Sequence, residues 1–325
     1  MHDGFPSFGE LYREGSEREF LRMSALVEAR GYGRWTRLRE VAEFAILLGI
    51  RRLGIAHGFD TTPEAQRVGR HLSSFALEAL LPPADIISDP SEQALFFQTE
   101  GAEMNVVSGL GVAAEAVFLK ASSAPTVVLL ARDHRLYHNP AAALYTSRSY
   151  LQDPLHGHWP RSERPVGSRG MEGVLAFLAG GQGGDADPPP TRVEEAISMA
   201  HYIGASHVGL SFCVGFKEEA RLIAKVLEVN DFQISSVCCK TGATPKEIVG
   251  IREDEKIRPG RPEMICNPAA QAELLNRSGV EFALVLGQCV GHDSVAFANI
   301  DAPAVCLVAK DRVLAHNTGA ALKEE

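Results

Sequence analysis

Apolar residues recur along this chain in two rhythms, and the same succession of rhythms occurs twice. In the second half, Val193–Ile203 sets Ala196, Met199, Ala200 and Ile203 at helical spacing, and Gly204 stands where a helix C-cap belongs. His207–Phe212 follows as a short β-rich run. Lys217–Val229 is amphipathic, with Ala220, Ile223, Ala224 and Leu227 on one face, and Phe232–Val237 reads as a second strand. Pro268–Arg277 reads as a helix that stops near Gly279, Phe282–Leu286 as a third strand and Ala304–Val308 as a fourth. Short apolar strands separated by helices predict a parallel sheet covered on both faces. The expected fold class is α/β, with two tandem Rossmann-like or flavodoxin-like three-layer units.

The tandem arrangement is written in residue identities. Residues 36–72 align without a gap to 191–227, where Thr36, Arg37, Glu40, Gly49, Gly54 and Glu64 recur as the same residue. Residues 89–144 align to 267–322, repeating Pro90, Gln93, Gly109, Asp133, His138 and Asn139 among others. The first block is offset by 155 and the second by 178, so the second copy holds 23 extra residues between them. The expected organisation is a polar, helical lead-in at 1–35, a first copy at 36–150, a linker at 151–190 and a second copy at 191–325. The linker is rich in Gly, Pro and charge and reads as loop, except for a short helical stretch, MEGVLAFLA.

Composition narrows the function classes. The chain has 325 residues, of which 45% are hydrophobic, and a formal net charge of −9 without a basic run, so nucleic acid is not an expected partner. No apolar stretch approaches the length that crosses a bilayer, and the N-terminal residues lack a signal-peptide layout. The expected compartment is the cytoplasm, where the six cysteines are reduced and serve as ligands, catalytic thiols or core residues.

All six cysteines lie in the second copy, and this is where the duplication acts as an internal control. Positions shared by both copies serve the fold, whereas positions special to the second are candidates for chemistry. Cys213 meets Gly58, Cys289 meets Gly111 and His292 meets Ala114, while Cys238, Cys239 and Cys266 are associated with the insertion. Three strands end in cysteine, as VGLSFCVG, QISSVCCK and ALVLGQCVGHD. In open parallel sheets ligands bind beyond the carboxyl ends of the strands, so Cys213, Cys239, Cys266 and Cys289 are expected to converge. Of the adjacent pair, Cys239, beside Lys240, is favoured over Cys238, because neighbours in a strand face opposite ways. Gly215 and Gly291 permit tight turns with backbone N–H groups toward the pocket, and His292, Asp293 and Lys240 are candidates for polarising and proton-handling roles. Thiolates gathered in one place need a cation between them, and soft thiolates select zinc, copper(I) or iron–sulfur clusters. Ligands scattered over strand ends, without paired CxxC knuckles, lean toward an iron–sulfur cluster over zinc.

Other positions have plainer explanations. Cys306 lies inside the fourth strand opposite Val128 of the first copy and reads as core. His138 and His316 sit in matching Asp-x-x-Leu-x-His-Asn segments kept by the copy that lacks thiols, which points to a turn or cap. His57, in GIAHGFD, reads as a partly buried structural histidine, and the Arg252–Lys256 run as a solvated loop. The insertion KTGATPKEIVGIREDEKIRPGRPEM looks too polar for core and suited to a lid over the thiols. Neither copy carries a G-x-G-x-x-G or phosphate-loop pattern after its first strand.

At VEARGYGRWTRLREV (27–41), GLSFCVGFKEEARLIAKVLE (209–228), SVCCKTG (236–242), KIRPG (256–260), MICNPAAQAELLN (264–276), GQCVGHDS (287–294) and AKDRVLAHN (309–317), the sequence resembles the domain of unknown function 1847 family, described as predicted metal-binding proteins. The resemblance covers nearly all of the second copy, and the first resembles the same unit in degenerate form. It implies metal or cluster binding at Cys213, Cys239, Cys266 and Cys289, with His292 as a further ligand. Members of that family begin with a further short cysteine cluster, whereas this chain has no cysteine before Cys213.

The sequence therefore leads to an expected metal-binding protein with an iron–sulfur cluster, or zinc, on the second copy and an inert first copy completing a fused pseudo-dimer. Its expected partner is a small-molecule or sulfur-containing substrate, with no nucleic acid or membrane, and further homo-oligomerisation is compatible with this. Sulfur transfer, desulfurisation or reduction is the leading activity. A non-catalytic zinc-binding or metal-sensing module and a metal-free thiol enzyme, with a nucleophile such as Cys289, are the alternatives.

Overall fold

The computed structural model describes residues 5–12, 15–149, 151, 152, 155, 169–179 and 188–322. Two helices lead in, α1 (Phe8–Leu11) and α2 (Gly15–Gly31). The first copy then runs α3 (Arg37–Leu47), β1 (Arg52–Ala56), α4 (Thr62–Ser74), β2 (Glu78–Leu80), α5 (Pro90–Thr99), β3 (Met104–Ser108), α6 (Val112–Ala121), β4 (Thr126–Leu130) and α7 (Ala141–Thr146). MEGVLAFLA falls in α8 (Gly170–Ala179), while most of the expected loop around it lies outside the described residues. The second copy repeats the series as α9 (Arg192–Tyr202), β5 (His207–Phe212), α10 (Lys217–Val229), β6 (Gln233–Cys238), α11 (Pro268–Arg277), β7 (Phe282–Leu286), α12 (His292–Asn299) and β8 (Ala304–Val308).

Two four-stranded sheets result, ordered β2-β1-β3-β4 and β6-β5-β7-β8, with every strand pair parallel. β3, β4, β7 and β8 are buried at every residue, as strands covered on both faces must be. In each sheet the chain passes from β1 to β2 (or β5 to β6) and then crosses to the other side. The switch point of the second copy therefore lies between β5 and β7. Gly109 and Gly287 end β3 and β7 with positive φ, and a Cβ there would drive into Thr61 or Phe216 of the neighbouring turn.

The copies exchange contacts across a pseudo-two-fold. α6 of the first copy packs on β8 of the second, and α12 of the second packs on β4 of the first. Arg37 opens α3 after its Thr36 cap. Its backbone N–H donates to Asp311 Oδ2 at 2.8 Å, its Nε to the Val128 carbonyl at 2.7 Å and its Nη2 to Asp293 Oδ2 at 2.6 Å. Arg192 opens α9 and repeats each bond: backbone N–H to Asp133 Oδ2 at 2.9 Å, Nε to the Cys306 carbonyl at 2.8 Å and Nη2 to Glu115 Oε2 at 2.7 Å. The fused pseudo-dimer expected from the repeats thus has a physical interface.

The matching Asp-x-x-Leu-x-His segments are its turns. His138 and His316 both have positive φ, and each accepts at Nδ1, at 3.2 Å, from the N–H of Asp133 or Asp311. The insertion departs from expectation. Val249 and Ile251 are 4% and 2% exposed and join the core formed with α2 and α3, and the lysines beside them are neutralised locally. Lys246 reaches Glu263 at 2.8 Å, and Lys256 reaches Glu247 at 2.6 Å. A polar segment is thus partly core, because its charges pair along its edge while two aliphatic positions turn inward.

Candidate functional site

Each thiol is delivered by a different strand end. Cys213 follows β5, its N–H bonded to the Leu286 carbonyl of β7, and its carbonyl opens the turn into α10. The end of β6 places Cys239 opposite, its N–H on the Phe212 carbonyl, and the Val214 N–H donates to its sulfur at 3.3 Å. Cys266 precedes the Asn267 cap of α11, and the Asn267 N–H donates to the Cys239 carbonyl at 2.8 Å. Cys289 follows β7, and its carbonyl accepts from His292 N–H at the start of α12.

The side chains close a ring. Cys213 interacts with Cys239 and Cys289, Cys239 with Cys266, and Cys266 and Cys289 with His292. All five are buried, none more than 4% exposed. Cys238 faces the other way, half-buried against the core, and Cys306 is in the core of β8, where burial pushes its thiol up.

Three cations and two carboxylates surround the ring. Lys310 Nζ lies 2.9 Å from Cys213 Sγ and 3.4 Å from Cys289 Sγ, and Lys240 Nζ lies 3.3 Å from Cys266 Sγ. Arg312 lies 3.6 Å from Cys289 Sγ and pairs with Glu28 of α2. Glu28 accepts from Cys289 at 3.5 Å, and Glu40 of α3 faces Arg312 at 3.4 Å. The N-terminal helices thereby wall the second copy's site.

These charges set protonation. Hydrogen bonding from Cys239 and Cys289 holds Cys213 well below the ordinary thiol range, with burial opposing and Lys310 assisting. Cys266 is held down likewise, first by Cys239, against burial, and then by His292 and Lys240. Cys239 is pushed up, first by Cys213 and then by Cys266 and burial. Burial opposes protonation of His292, but the neighbouring Cys266 and Cys289 sulfurs outweigh it and raise the imidazole to about 10. Neither contact has hydrogen-bond geometry, so both ring nitrogens are buried without a partner. Burial, with Cys289 adding to it, lifts Glu40 to about 8.

The remaining candidates fall outside the ring. Both Asp293 oxygens are engaged, Oδ2 by Arg37 and the Val128 N–H and Oδ1 by the Gly291 and Ser294 N–H groups, so this carboxylate belongs to the interface. The Gly291 N–H thus faces Asp293, and a Cβ there would collide with Ser24 and Phe44, so this glycine makes room for α2 and α3. Gly215 is exposed beside Cys213, where a Cβ would meet only the sulfur at 3.8 Å. Lys310, Arg312, Glu28 and Glu40 escaped the sequence reading. Lys310 and Arg312 lie in a segment both copies keep, and the available signal was that their counterparts are Arg132 and His134.

The first copy shows what the thiols replace. At the positions equivalent to Cys213, Cys289 and His292 it has Gly58, Gly111 and Ala114, and Ser88 precedes its Asp89 helix cap as Cys266 precedes Asn267. These four line one cavity of about 330 Å³, where Arg132 pairs with Asp60 at 2.9 Å and Glu195 at 2.8 Å.

The family model described as a protein of unknown function (DUF1847) matches residues 4–81 and 175–307, and the chain belongs to this family. The uncharacterized protein MJ0455 of Methanocaldococcus jannaschii is 38% identical over 132 residues, 41% of this chain. The matched stretch spans 66% of that relative's length. A solved structure, a putative transcription regulation repressor of the LacI family from Corynebacterium glutamicum, overlaps 76% of this chain and 70% of its own at 8% identity, with a TM-score of 0.20, from which nothing about function follows. No helix among the described residues is long and apolar enough to cross a membrane.

Proposed function

We propose that the second copy binds a thiophilic metal centre through Cys213, Cys239, Cys266 and Cys289, with His292 beside it, and that the centre is an iron–sulfur cluster. The observation that carries this reading is the gathering of four buried thiols about Lys310, Lys240 and the Val214 N–H, beside one buried imidazole whose nitrogens have no hydrogen-bond partner. Buried polar nitrogens are normally satisfied, and soft sulfur donors fit iron–sulfur cores and zinc. Lys310, Lys240 and Arg312 supply the positive charge that several thiolates around one centre require. No three His, Cys, Asp or Glu side chains among the described residues are spaced to hold a single metal ion. Ligands delivered by separate strand ends, without paired CxxC knuckles, favour the cluster over zinc.

A cluster supplies electron transfer, or Lewis acidity at an open iron, to a sulfur-containing or other small substrate. This chain's residues hold and tune it. Lys310 and Lys240 donate to the sulfurs, His292 lies beside Cys266 and Cys289, and the walls of α2 and α3 exclude water. Sulfur transfer, desulfurisation or reduction is the activity this setting supports, in a cytoplasmic protein.

The test is metal and acid-labile sulfide content, with a visible spectrum, on protein purified without oxygen beside a Cys213→Ala/Cys289→Ala variant. Iron and sulfide lost in the variant are expected. Zinc alone would move the reading to a binding module. Absence of any metal would sink both readings. A metal-free thiol enzyme would remain, and the 2.9 Å approach of Lys310 to Cys213 makes Cys213 its nucleophile.

A further inference from the structure

The insertion builds a cavity against the thiol ring. About 280 Å³ in volume, it lies between α2 and the insertion, and Glu28, Tyr32, Lys240, Lys246, Arg258 and Arg261 are among its lining residues. Two of these also touch the ring. Lys240 Nζ is 3.3 Å from Cys266 Sγ, and Glu28 Oε1 is 3.5 Å from Cys289 Sγ, so together they form a partition one side chain thick. At the rim Arg258 and Arg261 are exposed, and neither forms an ion pair with another described residue. Their loop is clamped from below by Glu263, which accepts from the Arg258 N–H at 2.7 Å and from Lys246 at 2.8 Å.

The charge of this cavity opposes that of the chain. Four cations face the carboxylates of Glu28 and Glu263, on a protein whose formal net charge is −9. A cleft lined by an excess of one sign concentrates ligands of the other. The guanidinium fork suits carboxylates and oxyanions. The volume is at the small end for ligand pockets, which points to a small molecule.

We propose that this cavity is the entry and binding site for the substrate of the thiol centre, and that the substrate is a small anion, a carboxylate or sulfur oxyanion, held by Arg258 and Arg261. This rests on the reading of the thiol ring as a reactive centre. Glu263 is a positioning residue for the two arginines, and Lys240 is the group that meets both the ligand and Cys266.

Calorimetric titration with thiosulfate and with inorganic phosphate, at about 0.1 M salt on the protein as isolated, tests this. The variants are R258Q/R261Q and R252Q. Arg252 is an exposed arginine of the same insertion, already paired with Asp254 at 3.1 Å. Saturable binding of one anion per chain is expected, at least tenfold weaker in the double variant and unchanged in R252Q. No saturable binding, or equal binding by the wild type and the double variant, overturns the proposal. Metal and sulfide are measured on the same samples. Full metal without arginine-dependent binding sinks the cavity alone. Arginine-dependent binding by protein that never holds metal upholds the cavity and sinks the metal centre.

Discussion

Arg37 of the first copy lies 2.6 Å from Asp293 of the second, and both side chains are 1% exposed. Its image, Arg192 with Glu115 at 2.7 Å, is fully buried as well. Each pair joins a helix N-terminus of one copy to a helix of the other, so the repeats are locked by two exchanged charges. Removing one partner leaves the other buried and uncompensated, which costs about 3–5 kcal/mol. Arg37→Ala is expected to lose stability of that order in urea denaturation. Arg39→Ala removes only a half-exposed pair with Glu43 and is expected to change stability by less than about 1 kcal/mol. Equal losses in the two variants would show that the exchanged pair is no latch.

The twin histidine turns predict an acid transition. Burial lowers the His138 imidazole to about 4, and lowers His316 too, because each ring is partly buried and its Nδ1 accepts a backbone N–H. The unfolded chain takes up this proton near pH 6.5 and the folded one only near pH 4. More protons are then bound in the unfolded state between these values, so stability is complete above pH 6.5 and falls as pH drops through the window. The part due to His138 is about 2 kcal/mol after allowance for solvent screening at a partly exposed ring. His138→Asn keeps an acceptor and tolerates the positive φ, so it is expected to flatten this slope at neutral-pH stability close to the parent's. A slope unchanged in the variant would assign the acid loss elsewhere.

Much of this architecture was legible because the chain carries its own control. Strands β5, β7 and β8 fall on the runs read from alternation of apolar segments, and Gly204 has the positive φ of a helix C-cap. The strand-end cysteines stood out because Gly58 and Gly111 occupy two of their places in the first copy. The same control hid Lys310 and Arg312. Their segment is kept in both copies for its Asp and His, which hold the turn, and the charge-retaining change from Lys310 to Arg132 looked like part of that turn. Glu28 and Glu40 were hidden for another reason. They reach the site only through the exchange that packs α2 and α3 on the second copy, a relation that no local pattern encodes. Asp293 was misplaced by the converse error, since sequence adjacency to His292 says nothing about which way each points at the first turn of a helix.

The Cys238–Cys239 pair gives a test of facing. Cys239 is fully buried and joined to Cys213 and Cys266, while Cys238 is half-buried against the core. Under the proposed metal centre, Cys239→Ala is expected to lose most of the metal and Cys238→Ala to keep it, by elemental analysis of the purified proteins. Cys306→Ala, which removes a core sulfur in β8, is expected to keep the metal while losing about 1–2 kcal/mol of stability to the small cavity left behind. Metal loss in Cys238→Ala with retention in Cys239→Ala would reverse the facing of β6.

Lys310 is the cation that most directly opposes the thiolates. It is buried, and its ammonium donates to two sulfurs at the carboxyl ends of adjacent parallel strands, Cys213 after β5 and Cys289 after β7. Burial alone would drive it neutral, yet Cys289 and Cys213 outweigh that cost and raise it above the usual lysine range. Lys310→Met preserves most of the volume and removes the charge and both donors. Groups that support metal ligands are worth about 10–100-fold in metal affinity, and hydrogen bonds to sulfur tune cluster potentials. The expected outcome is a fall of about that size in affinity by chelator competition, with a more negative reduction potential where iron and sulfide are present. Lys310→Arg, which restores the charge found at Arg132 in the first copy, is expected to recover most of the loss. Affinity and potential unchanged in Lys310→Met would mean that this ammonium serves packing alone, and that the centre draws its compensating charge from Lys240 and Arg312.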